Sequence, residues 1–454
     1  MTDPTEQRGD DDHQHVEPTG NAADAGAAIL ARAPRVQLLL ARLRESKLAL
    51  DGVYLVGGAV RDAILGRDTG PDLDLAVEGD APAFAHLLAS ATGGEVVAEH
   101  DAFGTATVIA DLGDGAPTSI DVAGCRTETY EAPGALPTVA LGATIDRDLA
   151  RRDVTVNAIA IALAPGPDGA HRTVDPFDGI GDLGHGVLRF LHEFSFVDDP
   201  TRIVRVARYA GRLHMRVSED TRQRAVDAIH GGAFTKISAD RLRAELVLVL
   251  QEQCWKSLTL LASWGLLERL DPRLDRVFEA PYLLLQLDRA CGDSLELNQR
   301  SWPLRLAALV QPLGSDAAGW MGWLGFPGDV VNVVLDHLRL LDAVLARPDE
   351  LRAMKPSELY VELGEPADDS LALAALAIGD DDPALLDHLV TFATTARDAR
   401  LHVRGQDVID AGIPAGPRVG RVLGDLFLRT LDGELCGEDD ERRAIAEHVA
   451  KGTD

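Results

Sequence analysis

The stretches Tyr54-Leu-Val-Gly-Gly-Ala-Val-Arg-Asp62 and Asp72-Leu-Asp-Leu75 decide the fold of this chain. In the first stretch an apolar strand ends at Gly57 and Gly58, and a helix begins at once. Glycines let phosphate oxygens approach the backbone, and a helix N-terminus supplies N–H donors and a partial positive charge. The pattern predicts a phosphate-binding turn, with Arg61 in the first helical turn contacting the phosphates. An ordinary strand–turn–helix is the alternative.

The second stretch alternates two carboxylates with two leucines. On a strand, Asp72 and Asp74 share one face about 6–7 Å apart, while Leu73 and Leu75 face the core. Hard oxygen ligands in this arrangement suit Mg²⁺, which would activate a hydroxyl nucleophile and neutralise a leaving pyrophosphate. Asp121, on another short strand, is a candidate third carboxylate. A solvated strand edge is the alternative, but chance rarely places such a strand 14 residues after a strand, Gly-Gly and helix.

A third polar motif runs from Asp148 to Asn157 in an otherwise apolar stretch. It places two adjacent arginines, of which Arg152 is the second, beside Asp153 and a few residues before Asn157. The motif indicates either a polar binding site or an Arg–Asp pair that fixes the end of an element.

The fourth motif is a helix with a stripe of arginines. Asp199 and Pro200 predict its N-cap and first turn. Arginines then recur at steps of three and four residues, which places them on one face: Arg202, Arg205, Arg208 and Arg212. A surface helix with internal ion pairs is the alternative. The acids stop at Asp199, however, so most of the stripe has no partner within the helix.

The distribution of apolar residues predicts an α+β fold. Short apolar runs between glycine-rich turns indicate a mixed sheet of about five strands: 53–56, 73–77, 95–98, 106–110, 119–123 and 158–163. Helices are predicted over 28–47, 59–65 and 81–91. Beyond residue 192, apolar residues recur every three or four positions. The last 260 residues or so are therefore expected to be entirely helical.

The charge balance at first argues against a nucleic-acid partner. The 454 residues include 73 acidic and 44 basic side chains, for a net charge of −29. The basic residues, however, are 39 Arg and only five Lys, and arginine binds phosphates and base edges with a planar, bidentate fork. The charge would exclude nucleic acid only if the arginines were evenly spread, and the stripe shows that they are not.

The chain is expected to be soluble and cytoplasmic. Its apolar runs are much shorter than the ~20 residues that cross a bilayer, and residues 1–25 are acidic and polar rather than a signal peptide. The four cysteines lie too far apart in the sequence to indicate a metal site or a disulfide framework.

Together these motifs resemble the class II tRNA nucleotidyltransferase and bacterial poly(A) polymerase family, within the DNA polymerase β superfamily. The resemblance covers about residues 52–250. Six ordered motifs carry it: LVGGAVRD, DLDL, RRDVTVNAIA, DPFDGIGDL, DDPTRIVRVARYAGRL and RLRAEL.

The resemblance implies a polymerase β-like catalytic head with about a five-stranded mixed sheet, followed by an all-helical neck, body and tail. The acidic, apolar-poor composition of residues 1–27 itself indicates a disordered tail. The resemblance divides the rest into the head at 28–190, the neck at 191–250, the body at 251–350 and a tRNA-holding tail at 351–454.

The resemblance also implies roles for particular residues. Asp72 and Asp74 would bind Mg²⁺, and with Asp121 they form the predicted catalytic set. Asp199 and Arg202 would read the incoming base. The predicted nucleotide-binding set is Gly57, Gly58, Arg61, Arg152, Asp153, Asn157, Asp199, Arg202, Arg205 and Arg208.

The implied activity is template-independent addition of C and A to the tRNA 3′ end from CTP and ATP. A carboxylate accepts from the amino group of cytosine or adenine, whereas guanine and uracil present a keto oxygen that would repel Asp199. The expected partners are tRNA, ATP and CTP, with no membrane and no DNA; the oligomeric state stays open. The alternatives are a partial enzyme adding only A or only CC, a poly(A) polymerase, and an inactive RNA-binding relative.

Overall fold

A computed structural model of the chain describes residues 22–279 and 282–451. Its contacts divide the chain into two compact units. One runs to Arg241 and includes Lys256–Leu266, and the other comprises Leu242–Trp255 and the residues from Leu267 onward. Residues 1–21 of the predicted acidic tail lie outside the described residues. No helix in the described ranges is long and apolar enough to cross a membrane.

Among the described residues, strands occur only in the first unit. They are β1 Val53–Val56, β2 Asp72–Val77, β3 Glu95–His100, β4 Thr105–Asp111, β5 Pro117–Gly124, β6 Arg126–Thr129, β7 Thr138–Leu141, β8 Ala160–Pro165, β9 His171–Val174, β10 Val187–Leu188 and β11 Arg216–Val217. Seven of them form one mixed sheet in the order β3-β4-β5-β2-β1-β8-β9. Within it β2 and β5 are parallel, and the other neighbours are antiparallel.

The sheet has seven strands rather than about five. All six predicted apolar runs belong to it, and β9 is the strand that the sequence did not indicate. This strand reads His-Arg-Thr-Val, which is too short and too polar for a clear alternation. The remaining strands form two small sheets, an antiparallel β6–β7 hairpin and a parallel β10–β11 pair.

Helices connect the strands and make up the rest of the chain. Those from the start to residue 263 are α1 Ala22–Ala31, α2 Pro34–Ser46, α3 Gly58–Ile64, α4 Ala81–Thr92, α5 Ile145–Ala150, α6 Gly179–His185, α7 Ser195–Asp198, α8 Thr201–Leu213, α9 Glu219–His230, α10 Ala239–Leu250 and α11 Trp255–Ser263. Short 3₁₀ helices span Asp101–Phe103, Thr155–Asn157, Ala233–Lys236, Pro272–Phe278 and Gln311–Asp316.

Beyond residue 192 the described chain is helical, as the spacing of apolar residues predicts, except for the two-residue strand β11, which pairs with β10. From residue 266 onward it contains helices without strands. The helices are α12 Leu266–Leu270, α13 Leu283–Cys291, α14 Leu295–Arg300, α15 Trp302–Val310, α16 Ala317–Trp323, α17 Gly328–Ala346, α18 Pro348–Ala353, α19 Pro356–Leu363, α20 Asp368–Ile378, α21 Pro383–Asp398, α22 Gly405–Asp410, α23 Pro417–Leu431 and α24 Glu438–Lys451.

The predicted helix over 28–47 is two helices. The first, α1, starts at Ala22, inside the predicted acidic tail, and α2 starts at Pro34. Proline has no amide hydrogen to continue a helix, but its fixed φ suits a first turn. The break therefore falls just before Pro34.

The strand β1 is buried along its whole length. It lies inside the sheet between β2 and β8, and Tyr54 and Val56 belong to a core cluster with Ile145 and Leu149 of α5. A strand covered on both faces needs apolar residues at every position, which explains the unbroken Val-Tyr-Leu-Val run. The end of this strand, at Gly57, is thereby fixed in the interior of the first unit.

Candidate active site

A cleft of about 660 Å³ within the first unit gathers the sequence motifs. It is lined by Gly57, Gly58, Ala59, Arg61, Asp62, Thr69, Asp72, Asp74, Arg126, Glu128, Tyr130, Pro137, Arg151, Arg152, Asp153, Asn157, Asp199, Arg202, Arg205, Arg208, Tyr209 and Arg212. Of the thirteen predicted site residues, the structure brings twelve together here. Asp121 is not part of the lining.

Gly57 allows the backbone to turn between β1 and α3 against two charged groups. Its φ is +70°, which favours glycine. A Cβ atom at this position would lie 3.2 Å from Asp74 Oδ2 and 3.4 Å from Arg152 Nη1. A side chain would therefore both strain the turn and push apart the carboxylate and the guanidinium.

The two carboxylates of β2 alternate with buried leucines, as predicted. Asp74 stands opposite Asp121 in the parallel register of β5. Burial raises the pKa of the Asp74 carboxyl; Arg152 counteracts this rise, and Asp121 and Asp72 add to it. Asp121 itself accepts a hydrogen bond from the Thr107 hydroxyl at 2.6 Å. Asp121 is thus close enough to influence Asp74 while lying outside the cleft lining.

The donor set at the start of β2 fits a divalent cation that is bound together with a substrate. Among the described residues there is no cluster of three or more His, Cys, Asp or Glu side chains that would hold a metal by itself. Mg²⁺ is commonly bound by one or two carboxylates together with waters and substrate phosphates. Asp72 and Asp74 supply such a partial set.

Arg61 is buried and fully engaged by neighbouring side chains. Its Nε and Nη2 both donate to the Asp62 carboxylate at 2.8 Å, and its Nη1 donates to Asn157 Oδ1 at 2.7 Å. Asn157 in turn donates to Asp153 Oδ1 at 3.2 Å. Arg61 therefore ties helix α3 to the 153–157 segment, in addition to lining the cleft.

Asp148 holds the two adjacent arginines of the third motif. Arg151 donates to its Oδ1 through Nε and Nη2 at 2.9 and 2.7 Å, and Arg152 donates to Oδ2 at 3.1 Å. Burial opposes ionisation of Asp148, but the two guanidiniums lower its pKa overall. The Nε of Arg152 is buried and meets no hydrogen-bond acceptor among the described residues. This N–H is available to a ligand.

The β6–β7 hairpin supplies residues that the site prediction missed. Glu128 Oε1 accepts from Arg126 and from Arg151 at 3.0 Å each, and its Oε2 accepts from the Tyr130 hydroxyl at 3.1 Å. Burial, which outweighs the effect of Arg202, raises the pKa of Tyr130 to about 12. The Arg-Thr-Glu-Thr alternation at 126–129 was the available sequence signal for this hairpin.

Arg202 is anchored from several sides. Its Nη1 donates to Ser195 Oγ at 3.0 Å and lies 3.4 Å from His192 Nε2. Its Nη2 donates to the Tyr130 hydroxyl at 3.2 Å and to the Arg151 carbonyl at 2.9 Å. Base recognition by Arg202 would therefore use its Nε or exchange one of these contacts.

Asp199 is held by a different residue, Arg241. Its Oδ1 accepts from the amide and the hydroxyl of Thr201 at 3.0 and 2.6 Å, and from Arg241 Nη2 at 2.7 Å. Its Oδ2 accepts no hydrogen bond from any described residue. Helix α8 begins at Thr201, with Pro200 rather than the predicted Asp199 at the N-cap.

Arg205 forms the central ion pair of the cleft. Its Nε and Nη2 donate to Asp153 Oδ2 at 2.9 and 2.6 Å, and Tyr209 donates to the same oxygen at 3.1 Å. Burial would raise the pKa of Asp153, but Arg205, Asn157 and the Val154 amide lower it to about 2.

Comparisons with known proteins agree with this geometry. Residues 53–189 match the poly(A) polymerase head domain family. An A-adding tRNA nucleotidyltransferase of Halalkalibacterium halodurans is 31% identical over 389 residues, which cover 84% of each chain. The chain belongs to the class II tRNA nucleotidyltransferase family.

Two further relatives fall in the same family. An A-adding tRNA nucleotidyltransferase of Geobacter sulfurreducens is 32% identical over 412 residues, covering 86% of this chain; the chain spans only 44% of that relative's length. A CC-adding tRNA nucleotidyltransferase of Deinococcus radiodurans is 31% identical over 405 residues, covering 87% of this chain and 89% of the relative.

A solved structure shares the fold as well. The second apo form of a CCA-adding enzyme superposes with a TM-score of 0.72 at 28% identity, and covers 94% of this chain and 98% of its own. This chain and that CCA-adding enzyme are therefore of similar length and share a fold.

The Asp153–Arg205 pair should make the stability of this family member depend on pH in the acid range. The folded-state pKa of Asp153 lies below its ordinary value of 3.8. The ionised Asp153 carboxylate therefore adds about 2 kcal/mol to the free energy of unfolding above pH ~4, and this stabilisation is lost as the pH falls toward 2. We would measure urea unfolding from pH 7 to pH 3. At pH 7 we expect Asp153→Asn to have a lower free energy of unfolding than wild type, and we expect this difference to become smaller below pH 4.

Arg205→Gln removes the same pair from the other side and serves as the matched variant. Its difference from wild type in the free energy of unfolding should also become smaller below pH 4. A gap between wild type and either variant that stays constant down to pH 3 would show that the ion pair is not the source of the stability.

Proposed function

We propose that the protein adds nucleotides from CTP and ATP to the 3′ end of tRNA, building or repairing the CCA terminus with release of pyrophosphate. One observation carries this proposal: a single cleft holds the paired carboxylates of β2, the Gly57–Gly58 turn and the arginine face of α8. Nucleotidyl transfer needs groups for a metal ion, for phosphates and for a base, and the cleft offers all three.

The triphosphate would lie against the turn between β1 and α3. Gly57 and Gly58 leave the backbone open, and the buried Nε of Arg152 has no acceptor among the described residues. Asp72 and Asp74 would hold Mg²⁺, whose chemistry is to lower the pKa of the attacking hydroxyl and to neutralise the leaving pyrophosphate. The RNA 3′ hydroxyl would lose its proton to solvent and its oxygen would bond to the α-phosphorus, while the bond from that phosphorus to the α–β bridging oxygen breaks and releases pyrophosphate.

Asp199 and Arg202 would select the base. Arg241 and Thr201 occupy one oxygen of Asp199, and the other accepts nothing from the described residues, so it can accept from the amino group of cytosine or adenine. Arg202 would donate to a neighbouring ring acceptor. A keto oxygen at the place of the amino group, as in uracil and guanine, would repel the carboxylate.

The tRNA would be held by the helical part of the chain. In this proposal the head spans 28–190, the neck 191–250, the body 251–350 and the tail 351–454. The C-terminal stretch from Gly405 to Gly420 resembles the corresponding segment of the family.

Addition of the terminal A alone is the second candidate. Two of the relatives described above are A-adding tRNA nucleotidyltransferases. The segment from Glu128 to Pro137, which borders the cleft, also resembles A-adding enzymes.

Transcripts of one tRNA that end at the discriminator base, at C and at CC distinguish these activities. For full CCA addition, we expect labelled CTP to enter the first two transcripts and labelled ATP to enter the third. If CTP enters none of them while ATP enters the CC-ending transcript, the protein adds only A. If neither nucleotide enters any transcript, the proposed function is wrong.

Replacing Asp72 and Asp74 together by Ala should abolish incorporation while sparing tRNA binding, because the substitution removes the proposed cation ligands and leaves the arginine face intact. Incorporation and filter binding of labelled tRNA measure the two effects. The control, Glu95→Ala with Asp101→Ala, removes two exposed carboxylates of the first unit outside the cleft and should keep full activity. Activity in the Asp72/Asp74 variant would refute the ligand assignment.

Asp199→Ala should relax base selection more than it weakens triphosphate binding. The reason is that the change removes repulsion of a keto oxygen but no phosphate contact. The ratio of kcat/KM for ATP to that for UTP and GTP should fall at least tenfold, with Asp198→Ala as the adjacent control. An unchanged ratio in Asp199→Ala would assign base reading to another residue.

A further inference from the structure

The hydroxyl of Thr69 is a buried group that the proposed activity does not use. The residue is only 8% exposed, it lines the cleft, and its Oγ1 has no hydrogen-bond partner among the described residues. Buried polar atoms in folded proteins nearly always have such a partner. An exception inside a cleft indicates that a ligand supplies it.

The loop that carries Thr69 is tied to the C-terminal half of α8. This loop lies between α3 and β2, and its Arg67 Nη1 reaches the carbonyl of Arg212 at 3.5 Å. Ten residues along α8 separate Arg212 from Arg202, which corresponds to about 15 Å. The part of α8 that the Thr69 loop contacts is therefore about three helical turns from the base-reading Arg202.

The surroundings of Thr69 suit a phosphate. Arg208 and Arg212 line the same cleft from the C-terminal half of α8. Their guanidinium carbons lie 5.0 and 5.4 Å from the centre of the Tyr209 ring, so one aromatic side chain orients both. Guanidinium forks together with a hydroxyl donor are typical ligands of phosphate oxygens.

We propose that Thr69, Arg208 and Arg212 form a phosphate subsite, with the Thr69 hydroxyl donating to a phosphate oxygen. The phosphate belongs either to the last phosphodiester of the RNA acceptor strand or to the β/γ end of the nucleoside triphosphate. The proposal rests on the proposed function, since it takes the ligand to be one of the two substrates.

The test removes the hydroxyl and nothing else. Thr69→Val keeps the shape of the side chain and deletes a buried, unpartnered polar atom, so the fold should be retained. Thr173→Val is the matched control, because the Thr173 hydroxyl is also buried without a partner among the described residues and lies outside the cleft. Thr69→Ser restores the hydroxyl and should restore binding.

Two binding measurements that need no turnover identify the source of the phosphate. Filter binding follows a labelled tRNA transcript that ends in CC, and equilibrium dialysis follows ATP. In Thr69→Val we expect about a tenfold rise in one Kd, the size expected for a lost hydrogen bond to a charged group. A rise for tRNA alone assigns the subsite to the RNA strand, and a rise for ATP alone assigns it to the triphosphate.

The proposal is overturned if neither Kd changes, or if Thr173→Val produces the same change as Thr69→Val. It is also overturned if Thr69→Ser binds no better than Thr69→Val. Wild-type protein that binds tRNA and ATP but incorporates no nucleotide would refute the proposed function, and the two Kd values would still decide the subsite.

Discussion

The ion pair between the buried carboxylate of Asp153 and the partly exposed guanidinium of Arg205 is the interaction on which the geometry of the cleft depends. A buried carboxylate is tolerated only with partners that compensate for its desolvation. Arg205, Tyr209 and Asn157 meet that need here. Asp153 lies between α5 and β8, and Arg205 lies on α8. Because β8 belongs to the same sheet as β2, the pair ties the arginine face of α8 to the segment that leads into that sheet.

The same principle explains how a protein with a net charge of −29 can offer a cleft for polyanions. Eight arginines and six carboxylates line the cleft, and most of the carboxylates hold an arginine in place rather than face a substrate. Asp148 orients Arg151 and Arg152, Glu128 orients Arg126 and Arg151, and Asp62 orients Arg61. Local pairing therefore decides where positive charge is presented, and the overall charge does not.

Much of the fold and the site could be predicted from the sequence, and the failures have physical causes. Strand β9 is short and half polar, so periodicity does not reveal it. The helix over 28–47 divides at Pro34, a local signal that could have been used. The partner of Asp199 is Arg241, 42 positions away, and the partner of Arg202 includes Tyr130, 72 positions away. No pattern within a single element reports such contacts.

The local pattern of residues is enough to predict the alternation of Asp72 and Asp74, the glycine turn at the end of β1 and the arginine spacing on α8. These features follow from backbone geometry over a few residues, which periodicity expresses directly. The folded structure is needed to show which arginines are held by carboxylates, that Asp121 lies beside Asp74 but outside the cleft, and that Thr69 lines it. These facts depend on contacts between distant segments, where packing and the desolvation of charge select one arrangement among many that the local pattern allows.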